Sequence, residues 1–253
     1  MALAKNTILS PGAIGFLAGI GITEVPVFPK PTVGIIITGN ELQQPGKPLL
    51  FGQVYESNSQ TLTAALQQLH INDVKTFWAA DDLVIVKDVL QTALNQCDIV
   101  LLTGGVSVGD YDFVVEAARQ CEVEMIFHKI KQRPGKPLYF GKIVNQLVFG
   151  LPGNPSSVLT CFYQYVLPAV QQLSNFLPSG LKVLQVPINK NFTKAAGLTH
   201  FLKGYYDGEK VAILDAQESY RLSSFARANC LVKINEDITH CFEGEKVEIH
   251  LLP

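Results

Sequence analysis

Apolar and polar positions change period several times along this chain, and the changes divide it into regions. Val33-Gly34-Ile35-Ile36-Ile37-Thr38 is a nearly unbroken apolar run closed by Gly39-Asn40, the pattern of a strand buried on both faces. Leu62, Ala65, Leu66 and Leu69 then recur at helical spacing, with Ser57, Asn58 and Ser59 as candidate N-caps. Residues 74–80 read as a second strand, and Asp82 as the cap of a helix that buries Val86, Val89, Leu90, Ala93 and Cys97. Residues 99–103 read as a third, wholly buried strand. A helix over 114–121, a strand over 123–127 and a hairpin over 138–149 turning around Gly141 follow. Asn154 with Pro155 then opens a long helix with Val158, Phe162, Tyr165, Val166, Ala169 and Leu173 on its apolar face, and Pro168 predicts a kink in it. Beyond Pro178-Ser179-Gly180 the runs are short and strand-like: 181–188, 200–206, 211–214, 230–234 and 246–252, with a hairpin turn at 206–209.

Alternating strands and helices predict an α/β fold, a doubly wound and mostly parallel sheet over residues 31–177. A small all-β domain over 178–253 follows it, and residues 1–30 form an N-terminal linker. The apolar run over 13–22 contains three glycines and is shorter than the roughly 20 residues a membrane-spanning helix needs. Only Lys5 precedes it and no cleavage site follows, so a short element packed on the body is favoured over a signal peptide.

The 253 residues carry 20 Lys+Arg against 22 Asp+Glu, and no basic run supplies the stripe that nucleic acid requires. Neither nucleic acid nor a membrane is an expected partner. Five cysteines, odd in number and without a C-x-x-C pair, argue against a zinc site or a disulfide framework and suit a reducing, cytoplasmic setting.

Ligands of open α/β sheets bind beyond the carboxyl ends of the strands. Glu41 follows the first strand, Asp81-Asp82 the second, and Gly104-Gly105-Val106-Ser107-Val108-Gly109-Asp110-Tyr111-Asp112 the third. Gathered carboxylates repel unless a cation joins them, and Mg²⁺ is held by one or two carboxylates together with phosphate oxygens. Anion binders converge on the same edge: Lys131, Arg133, Gly135 and Lys136, then Pro152-Gly153-Asn154-Pro155 at the head of the long helix, whose free N–H groups offer a phosphate seat. The expected partner is a small phosphorylated molecule. The glycine loop lacks the Lys-Ser/Thr of a P-loop and does not match G-x-G-x-x-G, and the five histidines show no ligand spacing.

Taken in order, T-G-N-E-L, E-S-N-S, G-G-V-S-V-G-D-Y-D, R-P-G-K-P and G-L-P-G-N-P-S-S resemble the molybdopterin molybdenumtransferases, the family that includes the C-terminal domain of gephyrin. Residues 197–204 and 219–229 resemble that family's C-terminal β domain. The resemblance implies the molybdopterin-binding fold and a reaction of molybdenum cofactor biosynthesis. The reaction it implies is Mg²⁺-dependent insertion of molybdate into adenylylated molybdopterin with release of AMP. It implies catalytic roles for Asp112, Asp81, Glu41 and Lys136, with Glu41, Asp81 and Asp112 as the metal cluster. Substrate would contact Ser57, Asn58, Gly104, Gly105, Ser107, Gly109, Asp110, Lys131, Arg133, Gly135, Pro152, Gly153, Asn154, Pro155 and Ser219. It also implies a homodimer, and a longer N-terminal region preceding the residues present here. The departures are Glu56 where the family has aspartate, Arg133 where lysine is common, and Leu198 where arginine usually follows glycine. An incomplete, molybdopterin-binding or scaffold module is the alternative. The related adenylyltransferases are disfavoured because they lack the β domain.

Overall fold

The computed structural model describes residues 3–105, 113–177 and 179–253. Helix α1 (Pro11–Gly19) starts where Ser10 accepts the Ala13 amide and Pro11 fills the first position. The sequence predicts an element packed on the body, but only Ala13 is buried, and Ile14 and Phe16 are about half exposed. Its apolar residues run all round the helix rather than along one stripe, so no single contact face takes them.

Strand β1 (Val33–Thr38) is followed by the two-residue strands β2 (Leu42–Gln43) and β3 (Val54–Tyr55), which pair in parallel. Then come α2 (Asn58–Gln68), β4 (Val74–Ala79), α3 (Leu83–Leu94), β5 (Ile99–Thr103), α4 (Phe113–Gln120), β6 (Glu124–His128) and the short β7 (Gln132–Arg133). The hairpin β8 (Tyr139–Ile143) and β9 (Gln146–Leu151) leads to α5 (Pro155–Cys161), a π-helical turn over Phe162–Val166, and α6 (Leu167–Leu173). The main sheet has the spatial order β4-β1-β5-β9-β8-β6, with β4, β1, β5 and β9 mutually parallel.

Both faces of this sheet are covered, which is why its strands read as continuous apolar runs. Ile35, Ile37 and Leu101 pack with Leu62 and Leu66 of α2 and with Val158, Phe162 and Val166 of the last helix. The intervening Ile36, Val100 and Leu102 pack on the opposite face with Val86 and Leu90 of α3 and Val114 and Ala117 of α4. No helix among the described residues is long and apolar enough to cross a membrane.

One local expectation is corrected, and the disturbance expected at Pro168 takes a definite form. The hairpin turns at Val144-Asn145 and not at Gly141, which lies inside β8. A Cβ at Gly141 would approach Tyr139 Oη and Val123 Cγ1 to 2.7 Å, so packing rather than a turn calls for glycine there. Pro168 produces the π-helical turn just before it, in which the Leu167 amide reaches back to the Phe162 carbonyl. The widened turn gives room where the ring would otherwise meet the carbonyl four residues back.

The chain continues as β10 (Lys182–Pro187), β11 (Phe192–Thr193), β12 (Thr199–Tyr206), β13 (Val211–Ile213), β14 (Cys230–Ile234), β15 (His240–Cys241) and β16 (Lys246–Leu251). An antiparallel sheet of order β10-β16-β14-β12-β13 encloses Val186, Leu202, Val211, Val232 and Ile249. Its β12–β13 turn is fixed by the Asp207 carboxylate, which accepts the Glu209 and Lys210 amides at 2.9 Å each.

Val144 is 90% exposed and held at φ +52°, a conformation β-branched residues avoid. Val144→Gly should therefore stabilise the protein by about 0.5–1 kcal/mol, despite the added freedom of the unfolded glycine. Urea unfolding checks this; a lower midpoint at unchanged slope would contradict it.

Candidate active site

The parallel directions of β1, β4, β5 and β9 bring the loops after all four strands to one edge. Chain order and spatial order part company between β1 and β5, which makes that crevice the topological switch point. There a Cβ at Gly104, φ +88°, would stand 2.7 Å from the Thr38 carbonyl oxygen, so only glycine allows the two loops to close together. Gly105 follows at φ +65°. Asp81 Oδ2 accepts the Asn40 amide at 3.1 Å and the Asp81 amide donates to Asn40 Oδ1 at 3.3 Å, which ties Asp81 to the loop carrying the exposed Glu41. Asp82 instead caps α3 by accepting the Val84 and Ile85 amides. Ser107, Gly109, Asp110 and Asp112 lie outside the described residues.

At α2 the cap is Glu56, whose buried carboxylate accepts the Ser59 amide at 2.7 Å and the Ser59 hydroxyl at 2.6 Å. Ser57 makes no side-chain cap bond. The longer glutamate reaches the helix from one residue further out. Asn58 turns towards the Pro152–Pro155 segment, where its Nδ2 donates to the Gly153 carbonyl at 2.9 Å. Its Oδ1, and Ser156 Oγ beside the same turn, are buried without a hydrogen-bond partner. Orphaned polar atoms of this kind cost stability and call for a reason.

The expected phosphate seat of free amides at the head of the last helix is corrected. The Ser156 amide donates to the Ser219 carbonyl at 2.9 Å, and the Ser157 and Val158 amides donate to the Asn154 carbonyl. Asn154 makes no side-chain cap; its Nδ2 donates instead to Ser219 Oγ at 2.9 Å. The β domain therefore caps this helix, and Ser219 is held at its head by two contacts, one to Asn154 and one to Ser156.

A cleft of about 1010 Å³ lies between the two domains. Arg133, Gly135 and Lys136 line one side, Pro152, Gly153 and Asn154 the base, and Lys190, Lys194, His200 and Ser219 the side formed by the β domain. Of the residues expected to meet substrate, Arg133, Gly135, Pro152, Gly153, Asn154 and Ser219 thus come together, with Lys136 of the expected catalytic set beside them. Lys131 does not; it lies outward, 3.7 Å from Glu236. Pro155 sits in the first turn of α5. Glu41, Asp81, Ser57, Gly104 and Gly105 belong to the sheet edge and do not line the cleft. Lys190 and Lys194 have no motif around them in the sequence, His200 falls within the 197–204 stretch, and the folding of the β domain brings all three here. Lys194 Nζ donates to the Leu198 carbonyl at 2.9 Å, and to those of Ala195 and Glu236 at 3.3 Å, so its charge is anchored in a ring of carbonyls. Burial, then the nearby Lys194 and Arg133, push the His200 imidazole below its ordinary range.

Residues 34–172 match the probable molybdopterin binding domain, and residues 185–252 match the MoeA C-terminal region, domain IV. The chain belongs to the molybdopterin molybdenumtransferase family. The Haemophilus influenzae molybdopterin molybdenumtransferase is 34% identical over all of this chain and 65% of that protein. The enzyme of Staphylococcus aureus is 32% identical over 99% of this chain and 61% of that protein. The crystal structure of the molybdopterin biosynthesis MoeA protein from Pyrococcus horikoshii superposes with a TM-score of 0.82 at 31% identity, over 96% of this chain and 60% of that one. This chain therefore spans less than two thirds of the length of these relatives.

His200 generates a pH prediction. Its unfolded counterpart takes up a proton at a higher pH than the folded one, so stability should fall as pH drops below about 6.5. Thermal unfolding between pH 7.5 and 5 should show that loss, and His200→Gln should reduce it. An equal acid loss in both proteins would remove His200 from the explanation.

Proposed function

We propose that this chain acts in molybdenum cofactor biosynthesis as a molybdopterin molybdenumtransferase, inserting molybdate into adenylylated molybdopterin with release of AMP in a Mg²⁺-dependent reaction. The observation that carries the proposal is the cleft in which Arg133 and Lys136 of the α/β domain share one space with Lys190, Lys194 and Ser219 of the β domain. A substrate with a phosphoanhydride and an oxyanion presents charge at more than one point, and cations on both walls meet that demand. Family membership and the orphaned polar atoms of Asn58 and Ser156 beside the Gly153 turn support the same reading.

The residues of the sheet edge suit Mg²⁺. Asp81 keeps one oxygen clear of its bond to Asn40, and Glu41 is exposed on the loop tied to it; two hard carboxylate donors plus phosphate oxygens are a usual magnesium set. In this reading substrate, water and Asp112 would complete the ion's coordination. When bound, the ion would draw charge from the phosphoanhydride and so favour departure of AMP. In this reading Lys136 and Arg133 neutralise the anion, Ser219 and Asn154 orient it by hydrogen bonding, and the glycines at 104 and 105 admit the pterin phosphate close to the backbone. The pyrophosphate-linked molecule and molybdate are both substrates.

Two finer parts of the reading have their own support. A homodimer is consistent with the exposed apolar side chains of Ile14, Phe16 and Ile20, and a cytoplasmic setting with five buried free thiols. Incubation of the purified chain with adenylylated molybdopterin, Mg²⁺ and molybdate tests the reaction through AMP release. Wild-type protein should release AMP, Lys136→Ala should lower the rate on the order of 10²-fold, and Asp112→Asn should abolish turnover while leaving the fold intact. Tight binding without release would favour instead a molybdopterin-binding module that does not turn over. Absence of both would refute the proposal.

A further inference from the structure

The cationic loop over residues 133–137 rests on a buried polar chain that neither composition nor motif announces. Gln132 is 2% exposed, and all its polar side-chain atoms have partners. Its Nε2 donates to the Pro134 carbonyl at 2.8 Å, and its Oε1 accepts from Tyr165 Oη at 2.6 Å. The Cys161 thiol lies against the same unit, 3.7 Å from Gln132 Nε2 and 3.9 Å from the Gly135 carbonyl oxygen. The loop closes through the Ile130 amide, which donates to Lys136 O at 2.9 Å, and the Leu138 amide, which donates to Gly135 O at 3.2 Å.

Tyr165 belongs to the π-helical turn over Phe162–Val166. A regular α-helix would carry its side chain round by a different angle, because a π turn adds a residue and rotates everything beyond it. Burial pushes the Tyr165 hydroxyl up to about 12, so it remains a proton donor at every physiological pH. Gln132 is buried and Tyr165 half-buried, so losing this bond leaves Gln132 Oε1 without its protein partner.

We infer that Tyr165, acting through Gln132, is a positioning residue that sets the backbone of residues 133–137 and thereby aims Arg133 and Lys136 into the inter-domain cleft. The functional consequence rests on the proposed reading of that cleft as the oxyanion site; the mechanical consequence does not. Tyr165 does not itself line the cleft and meets its wall only through Gln132, and removing its hydroxyl changes no charge and no apolar packing. The effect of Tyr165→Phe on anion affinity must therefore travel through Gln132 and the loop.

The test uses the full chain, with sodium molybdate as the probe, and reads hydrogen exchange and calorimetric titration side by side. In Tyr165→Phe the Ile130 and Leu138 amides should exchange about tenfold faster, amides of β1 and β5 should be unchanged, and the melting temperature should stay within about 4 °C of wild type. Molybdate should bind about tenfold more weakly. In the double variant with Lys136→Ala the two losses should fall short of additive, because a loop no longer aimed has already lost part of what Lys136 supplies. Unchanged exchange at Ile130 and Leu138 would overturn the inference, and so would strictly additive losses of affinity. If wild-type protein binds no molybdate, the functional reading of the cleft fails and the exchange of those two amides alone decides the inference.

Discussion

The arrangement depends on the seam where β7 pairs in parallel with β12, Gln132 opposite Thr199 and Arg133 opposite His200. Two residues of ladder would be a weak fastening by themselves, but the seam is longer than its strands. The Thr199 amide donates to Lys131 O, and the Ser156 amide to Ser219 O, each at 2.9 Å. Beneath these bonds the apolar core runs across the boundary. Phe225 and Leu231 come from the β domain and pack in the cluster formed by Phe162, Val166 and Leu167 of the α/β domain. Each such side chain contributes about 1.5–3 kcal/mol on burial, so dispersing this contact would cost more than breaking the ladder.

A fixed seam gives the cleft a fixed width. Its α/β wall hangs on Gln132, and its opposite wall hangs on a buried cation. Lys203, 2% exposed, donates from Nζ to the carbonyls of Ala216 at 2.8 Å, Arg221 at 3.2 Å and Glu218 at 3.4 Å, so the segment carrying Ser219 wraps around an ammonium. Gln217 adds a second fastening by accepting the Lys203 amide and donating to its carbonyl. The charged and hydroxyl side chains of the cleft are thus held by neutral amides and a buried ammonium behind them. The order is the same on both walls: a buried polar group satisfies backbone carbonyls, the loop takes one path, and charge faces the cleft.

How much of this could be read from the chain follows from where each contact lies in sequence. The parallel sheet was legible because a strand covered on both faces is buried at every position and reads as a nearly unbroken apolar run, as β1 and β5 do up to their final threonines. The gathering of Glu41, Asp81 and Gly104 at one edge was legible from topology, since parallel strands present their carboxyl ends together. Contacts closed over long separations were not. The amides at the head of α5 look free until Ser219, more than sixty residues later, caps one of them. The cationic side of the β domain is invisible for a similar reason: Lys190 and Lys194 lie in the loops around the two-residue β11, with no period that links them to His200 on β12. Pro168 announced a disturbance but not its form, because whether a helix bends or widens is decided by packing around Phe162 and Tyr165.

The central claim is that one ligand is held from both domains at once. Hydrogen exchange of the chain in the presence and absence of adenylylated molybdopterin tests it most directly. Protection should appear together around residues 130–138, around 153–158 and in the 215–221 segment, with His200 and its neighbours on β12 among the slowed amides. Protection confined to the loops of the parallel sheet, with the β domain exchanging as in the free protein, would contradict it.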